Sequence, residues 1–254
     1  MSSQSGSRFA RRLLNRKFRG TAGEFLVEGV QAVREAVTSG AARRVLATAD
    51  AAASYPDLVA GGFEELVLGQ VRELTDTVTP PGIFAICPTP NWSLDDVFTA
   101  GARLVVICAQ IRDPGNLGTV IRCADAFGAD GVVCTTGSVD VTNPKAVRAS
   151  TGSLFHLPVV AGAGLTQTVS RARAAGFAVL AADGTGEELL APAVGAGDKV
   201  AWIFGNEAWG LPEAGRALAD RVVRIPMWGR AESLNLATAA AVCLYATASG
   251  QRGQ

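Results

Sequence analysis

The stretch ARLVVICAQ at residues 102–110 limits what this chain can fold into more than any other. Apart from Arg103 and Gln110 it is apolar throughout, the pattern of a strand covered on both faces. Strands of that kind belong to parallel sheets, and a parallel pair needs a long crossover, usually helical, between its members. The downstream sequence supplies such crossovers in series. GTVIRCADAFG predicts a helix closing at Gly128, GVVCTT a strand, and ASTGSLFHLPVV a short helix running into a strand. LTQTVSRARAAG reads as a helix with Gly176 just past its end, and FAVLAAD as a strand. KVAWIFGNE is a strand entering a polar loop, LPEAGRALAD a helix, and RVVRIPM a strand. SLNLATAAAVCLYAT is a terminal apolar helix with Ser233 as its expected N-cap. Roughly five or six β–α alternations predict an α/β fold, a parallel sheet with helices on both faces.

Upstream the pattern is looser. FLVEG reads as a strand, VQAVREAVTSG as a helix ending at Gly40, and RRVLAT as a strand. A helix near Tyr55–Val59, an apolar segment around EELVLG, a turn at Thr79-Pro80-Pro81-Gly82 and a strand at Ile83–Cys87 follow. PTPNWS at 88–93 has the composition of an interdomain linker. The 254 residues therefore divide into a small α/β domain at 1–94 and a larger one at 95–254.

Lysine plus arginine and aspartate plus glutamate both number 23, so the whole chain advertises no polyanionic partner. The balance is local: Arg8, Arg11, Arg12, Arg16, Lys17 and Arg19 all precede the first acidic residue, Glu24, and form a basic arm. A plain solvated helix would look the same. The five cysteines lie mostly in apolar runs, without CxxC spacing, and read as reduced, buried thiols. With His156 as the sole histidine, no metal site is expected. Arg11-Arg12 is followed by LLNRKFRG rather than an apolar export segment, and no run of about 20 apolar residues could span a membrane. The expected compartment is the cytoplasm.

Ligands of open α/β sheets bind outside the carboxyl ends of the strands. Three strand-to-helix loops there are rich in glycine and polar residues: Arg112–Gly118, Gly205–Leu211, and Ile225–Gly229 running on to Ser233-Leu234-Asn235. Their main-chain groups and glycines suit a nucleotide-sized ligand. Neither G-x-G-x-x-G nor a P-loop occurs, which removes the main support for a nicotinamide oxidoreductase or a phosphate-cradling NTPase. His156 has no G-x-S-x-G partner, so a serine hydrolase is unsupported as well.

Asn116-x-Gly118-x-x-x-Arg122, Gly205-x-Glu207-x-x-Gly210-Leu211 and Ile225-Pro226-Met227…Ser233-Leu234-Asn235-Leu236-Ala237 resemble, in order and spacing, the three motifs of the SpoU (TrmH-like) branch of the SPOUT RNA methyltransferases. The N-terminal part, with Phe25-Leu26-Val27-Glu28-Gly29, is similar to the ribosomal-protein-like RNA-binding domain of many members. It departs from their usual His-Gln-Gly-type turn at Thr79-Pro80-Pro81-Gly82.

The resemblance implies an S-adenosylmethionine-dependent 2′-O-ribose methyltransferase with a C-terminal trefoil knot, active as a homodimer on structured RNA, ribosomal ahead of transfer RNA. It implies cofactor contacts at Ala182, Asp183, Gly184, Gly205, Ile225, Met227 and Leu234, in an apolar cradle lined by main chain. It assigns catalysis to Arg122, with Asn116, Glu207, Ser233 and Asn235 around it, and lets Arg122 serve the partner's cofactor. An arginine hardly ever gives up its proton, so Arg122 is read as a clamp on phosphate and developing alkoxide rather than as the base. RNA contacts are expected from Arg11, Arg12, Arg16, Lys17 and Arg19 of the arm. The rival reading is a non-catalytic RNA-binding factor that kept the fold. Trp209 and Trp228 suit either packing, a dimer contact or base stacking; Asn143, Lys145 and Arg148 either a solvated helix or phosphate; and His156 a packed strand position.

Overall fold

The β-branched run at 104–108 does form a strand buried along its whole length. In the computed structural model of the chain, which describes residues 3–191, 194, 195 and 197–253 (of 3–5 the backbone only), it is a central strand of the larger of two sheets. The chain divides into two compact units: Met1–Pro90 with Thr142–Phe155, and Asn91–Val141 with His156–Gln254.

The first unit carries strands β1 (Glu24–Glu28), β2 (Arg44–Ala47), β3 (Glu64–Glu65) and β4 (Ile83–Pro88), in the order β1-β4-β2-β3. β4 runs antiparallel to both neighbours, while β2 and β3 are parallel. Leu13, Leu26, Leu46, Leu74, Phe84 and Ile86 fill its core. The basic N-terminal residues form two helices, Ser3–Arg12 and Arg16–Ala22, the second capped by Asn15. The helix expected at 55–59 lies earlier, at Ala49–Ser54, because Thr48 accepts the Ala51 N–H as its N-cap; only a 3₁₀ turn, Pro56–Leu58, follows.

The segment Thr142–Phe155 completes this unit. Its helix Pro144–Ser150 packs on β1. Arg148 donates 2.7 Å to Glu28, a buried carboxylate that also accepts the Thr75 hydroxyl at 2.6 Å, and Phe155 stacks on Phe25. A buried carboxylate needs such partners, since unpaired it would cost several kcal/mol (about 3–5).

The second unit holds a wholly parallel sheet: β5 (Leu104–Cys108), β6 (Gly131–Thr135), β7 (Val159–Ala163), β8 (Phe177–Ala182), β9 (Glu188–Leu189), β10 (Lys199–Phe204) and β11 (Arg221–Arg224). Their order is β7-β6-β5-β10-β8-β11-β9. The chain walks outward from β5 to β7, restarts on the opposite side of β5 at β8, and then inserts β10 between β5 and β8. The carboxyl ends of β5, β10, β8 and β11 thus stand side by side, where a doubly wound sheet offers its crevice. Val105, Ile107, Val133, Val179, Ile203 and Leu211 contribute to the core.

Trp202, fully buried on β10, stacks on Phe204 and donates its indole N–H to Thr247 at 2.9 Å. That bond fixes the C-terminal helix Leu236–Arg252. The cap of this helix is Asn235 and not Ser233, because Asn235 is the residue whose side chain accepts the Ala237 N–H. LPEAGRALAD is helical only over Glu213–Arg216. His156 is not packed into a strand: it sits in the turn before β7, partly exposed, with Nδ1 2.7 Å from Asp125. Burial raises the Cys87 and Cys243 thiols to about 12, so neither is a nucleophile at neutral pH.

Candidate active site

After β5 the backbone turns through Gln110, a non-glycine residue in the left-handed region (φ 57°). Both sides of that turn are fastened: the Gln110 N–H donates to Thr135 Oγ1, and its carbonyl accepts from Asn206 Nδ2 at 2.7 Å. Such a conformation persists only where its surroundings over-determine it. Asp113 then N-caps the helix Pro114–Ala126, accepting the Asn116 N–H at 2.8 Å, with Pro114 preset at the first position. Asn116 is thereby held in the first turn of the helix.

β10 ends at Phe204, and Gly205 follows because nothing larger fits: a Cβ there would lie 2.4 Å from the Gly210 carbonyl carbon. Asn206 and Gly210 exchange both main-chain hydrogen bonds at 2.9 Å, Asn206 Oδ1 accepts the Ala208 N–H, and Gly210 takes φ 66°. The result is a tight turn that presents Glu207 and Trp209.

Glu207 ties this turn to the first loop. Its carboxylate accepts the main-chain N–H groups of Arg112 and Asp113, each at 3.1 Å, and Asn116 Nδ2 at 3.2 Å. Asn116 Oδ1 in turn accepts from Asn235 Nδ2 at 3.1 Å, and Asn235 Oδ1 takes the Ala237 N–H. The amide orientations follow from donor counting. A carboxylate only accepts, so Asn116 must offer it nitrogen and turn its oxygen to Asn235; the Asn235 oxygen is already taken by a helix N–H, so its nitrogen is the donor. One carboxylate therefore sets a chain of polarity through all three loops. With three donors already on it, Glu207 is placed as an organiser of the loops.

The loop after β10 and the segment after β11, together with the end of β8, line a cavity of about 660 Å³. Ala182, Asp183 and Gly184 line it from the end of β8, and Gly205 and Glu207 from the loop after β10. Ile225, Met227, Ser233 and Leu234 line it from the segment after β11. The lining also carries Arg224 and Glu232, so the cradle is less apolar than expected. Asp183 is engaged, however. Burial pushes its carboxyl up, but the Thr185 hydroxyl and N–H, Arg216 and the Leu211 N–H outweigh this and hold it below the ordinary carboxylate range. Arg216 also donates to the Leu211 carbonyl at 2.7 Å, so Asp183 and Arg216 grip both polar groups of Leu211.

Asn116, Glu207 and Asn235 are thus joined, and Ser233 shares the cavity wall with Glu207. Arg122 is not among the lining residues; it is exposed on the helix Pro114–Ala126, six residues beyond Asn116 and about 9 Å further along the axis. In the arm, Arg11 pairs with Glu73 at 3.2 Å, Arg12 lies 3.8 Å from the Phe18 ring centroid, and Arg16 and Lys17 are exposed. Arg19 departs from its expected role in RNA contact. It is 3% exposed, and its guanidinium donates to the Leu13 and Leu14 carbonyls and to Thr142 Oγ1. Those carbonyls lie in the turn that follows the first helix, and satisfying them keeps Arg19 inside. Sequence reading missed Gln110, Asn206 and Arg216; Asn206 adjoins a motif residue, but nothing in the order of residues announces a left-handed glutamine or an arginine closing on a distant carboxylate.

Residues 103–245 match the SpoU rRNA Methylase family, and residues 8–85 the MRM3-like substrate binding domain. The chain is 36% identical over 240 residues to the 23S rRNA (guanosine(2553)-2'-O)-methyltransferase RlmP of Bacillus subtilis, covering 92% of each. It is also 36% identical over 261 residues to the 23S rRNA (uridine(2479)-2'-O)-methyltransferase of Streptomyces viridochromogenes, covering 91% of this chain and 84% of the relative. Among solved structures, the SpoU methyltransferase AviRb from Streptomyces viridochromogenes in complex with AdoMet superimposes with a TM-score of 0.83 at 34% identity, covering 98% of both chains. The AdoMet-bound rRNA methyltransferase from Sinorhizobium meliloti gives 0.82 at 29% identity, covering 96% of this chain and 93% of that one. With its three loops joined as described and both of its parts matched, the chain belongs to the SpoU rRNA methylase family.

Proposed function

We infer that the chain transfers a methyl group from S-adenosylmethionine to a ribose 2′-hydroxyl of 23S ribosomal RNA. The observation that carries this reading is that Glu207, which lines the 660 Å³ cavity, also binds Asn116 of the first loop, and Asn116 in turn binds Asn235, between the lining residues Leu234 and Leu236. The residues present fit the cofactor. The volume lies in the ordinary range for small-ligand sites. Gly184 and Gly205 bare main chain along the wall, and the Asp183 and Glu207 carboxylates are occupied by protein donors. The bound cofactor supplies an electrophilic methyl group on a sulfonium whose positive charge vanishes on transfer. Free carboxylates facing it would favour the ground state over the transition state, and occupied ones do so less.

In this reading Ala182, Asp183, Gly184, Gly205, Ile225, Met227 and Leu234 hold the cofactor. Asn116, Glu207, Ser233 and Asn235 fix the loops that position the sugar. Arg122 holds a substrate phosphate and stabilises the alkoxide developing on the ribose oxygen. Its exposure, away from the cavity of its own chain, supports a homodimer in which it reaches the partner's site. The first unit grips the RNA, with Arg11, Arg12, Arg16 and Lys17 of the arm as phosphate contacts. A trefoil knot near the C-terminus and a cytoplasmic location, suited to unpaired thiols, complete the proposal.

The test is direct. Purified protein, methyl-labelled cofactor and an unmodified 23S rRNA transcript are incubated, and the RNA is digested to nucleosides. Label is expected in one 2′-O-methylnucleoside, and a bulk transfer RNA control should stay unlabelled. Label on a base, or none in RNA despite measured cofactor binding, would overturn the assignment.

A further inference from the structure

Trp209 is half exposed (52%) at the tip of the Asn206–Gly210 turn, and the Arg112 guanidinium carbon lies 5.4 Å from its ring centroid. The two arrive from loops after different strands, β10 and β5. The Glu207 carboxylate that ties those loops together accepts the main-chain N–H of Arg112 itself. The turn carrying the indole is pinned by paired main-chain bonds and by Asn206. Glu207 and Gly210, on either side of Trp209, line the cofactor-sized cavity, whereas neither Trp209 nor Arg112 does. An exposed guanidinium–indole pair, carried on pinned main chain, thus stands at the rim of the cavity and outside its wall.

We propose that Arg112 and Trp209 form a stacking platform for a nucleobase of the substrate RNA next to the ribose that is methylated. The inference rests on the function proposed above and deepens it by naming where the RNA is held. An indole half in water is costly in apolar exposure unless a flat partner covers it, and every base offers a π face. A guanidinium is planar and weakly hydrated, so a base can stack on it as well as on the ring while its charge meets a flanking phosphate. Trp228, though 92% exposed, is less well placed, because it stands almost wholly in water with little around it to hold the ring in one orientation. The pair contributes position and affinity; it touches neither the methyl group nor the acceptor oxygen.

The experiment compares wild-type protein with Trp209→Ala, Trp209→Phe and Arg112→Ala. Affinity for an unmodified 23S rRNA transcript is measured by filter binding, cofactor affinity by calorimetry, and mass by gel filtration. Trp209→Ala is expected to weaken RNA binding about five- to a hundred-fold, the range found when one stacked base loses its aromatic partner. Its KM for RNA should rise in step while kcat falls far less, cofactor affinity should stay unchanged, and Trp209→Phe should recover most of the loss. Arg112→Ala should weaken RNA binding and flatten its salt dependence. Unchanged RNA affinity in Trp209→Ala overturns the proposal. A parallel loss of cofactor affinity would make the ring a brace for its own loop, and a shift to monomer would make it a subunit contact; either also overturns it. If wild-type protein binds the transcript without methylating it, the assigned reaction fails, while the platform is still judged on binding alone.

Discussion

Asn116 has no freedom left in its side chain. Its nitrogen faces an acceptor that can never donate, and its oxygen faces a donor already committed to a helix cap. Asn116→Asp keeps the shape and destroys this logic, because two carboxylates would then meet where one donor is required. Leaving a polar group unmatched costs about 1–3 kcal/mol. For a chain of this size that should lower Tm by roughly 2–4 °C per kcal/mol. Scanning calorimetry should show that fall together with at least a roughly tenfold loss of methyl transfer, since a misplaced loop costs rate steeply. A melting point and turnover equal to wild type would mean that the network does not hold the loops.

The two N-terminal helices separate a residue's charge from its use. Arg16, Lys17 and Arg19 sit within four positions of one another, and sequence alone assigns all three the same role. The packing divides them: Arg19 closes the turn after the first helix, while the other two remain in water. Arg19→Ala is therefore expected to destabilise the protein by about 1–3 kcal/mol, as the Leu13 and Leu14 carbonyls are left without their donor. Arg16→Ala combined with Lys17→Ala should leave Tm unchanged and reduce the slope of log affinity against log salt by about one for each phosphate that is no longer neutralised. An unchanged slope would remove the arm from the RNA interface.

At the same scale, the strands from β5 onward were legible because near-continuous apolar runs between helical periods admit one arrangement. The site was legible as three loops, since glycines, asparagines and a glutamate after strands mark ligand-facing turns. What could not be read depends on packing across long stretches of chain. The Asn235 cap displaced Ser233 only because its side chain reaches Ala237, and Asp125 drew His156 out of the strand pattern. Nor does any periodicity tell residues 142–155 that their packing partners are Glu28 and Phe25, more than a hundred positions upstream.

For the whole molecule, an Arg122 that serves the partner's cradle makes a prediction that no single chain can satisfy. Gly184 lines the cavity, and a Cβ added there would meet no protein atom within 4 Å, so Gly184→Val should block the cofactor without disturbing the fold. Arg122→Ala should keep cofactor binding and lose about 10²–10⁴ in rate. Each variant alone is then inactive. Mixed and allowed to exchange subunits, they should regain roughly a quarter of wild-type activity, from one intact site in each mixed dimer. Failure to complement, with mixed dimers verified by mass, would place Arg122 in the service of its own chain.

The return of Thr142–Phe155 to the first unit also has a bearing on how such enzymes can be rebuilt. A gene cut at the obvious linker delivers a front piece whose Glu28 has been parted from Arg148 and whose Phe25 has been parted from Phe155. It also leaves a back piece carrying an orphaned helix. The first unit is consequently no detachable cassette: a graft onto another catalyst must transplant both stretches of sequence together, or it carries over an unfinished core.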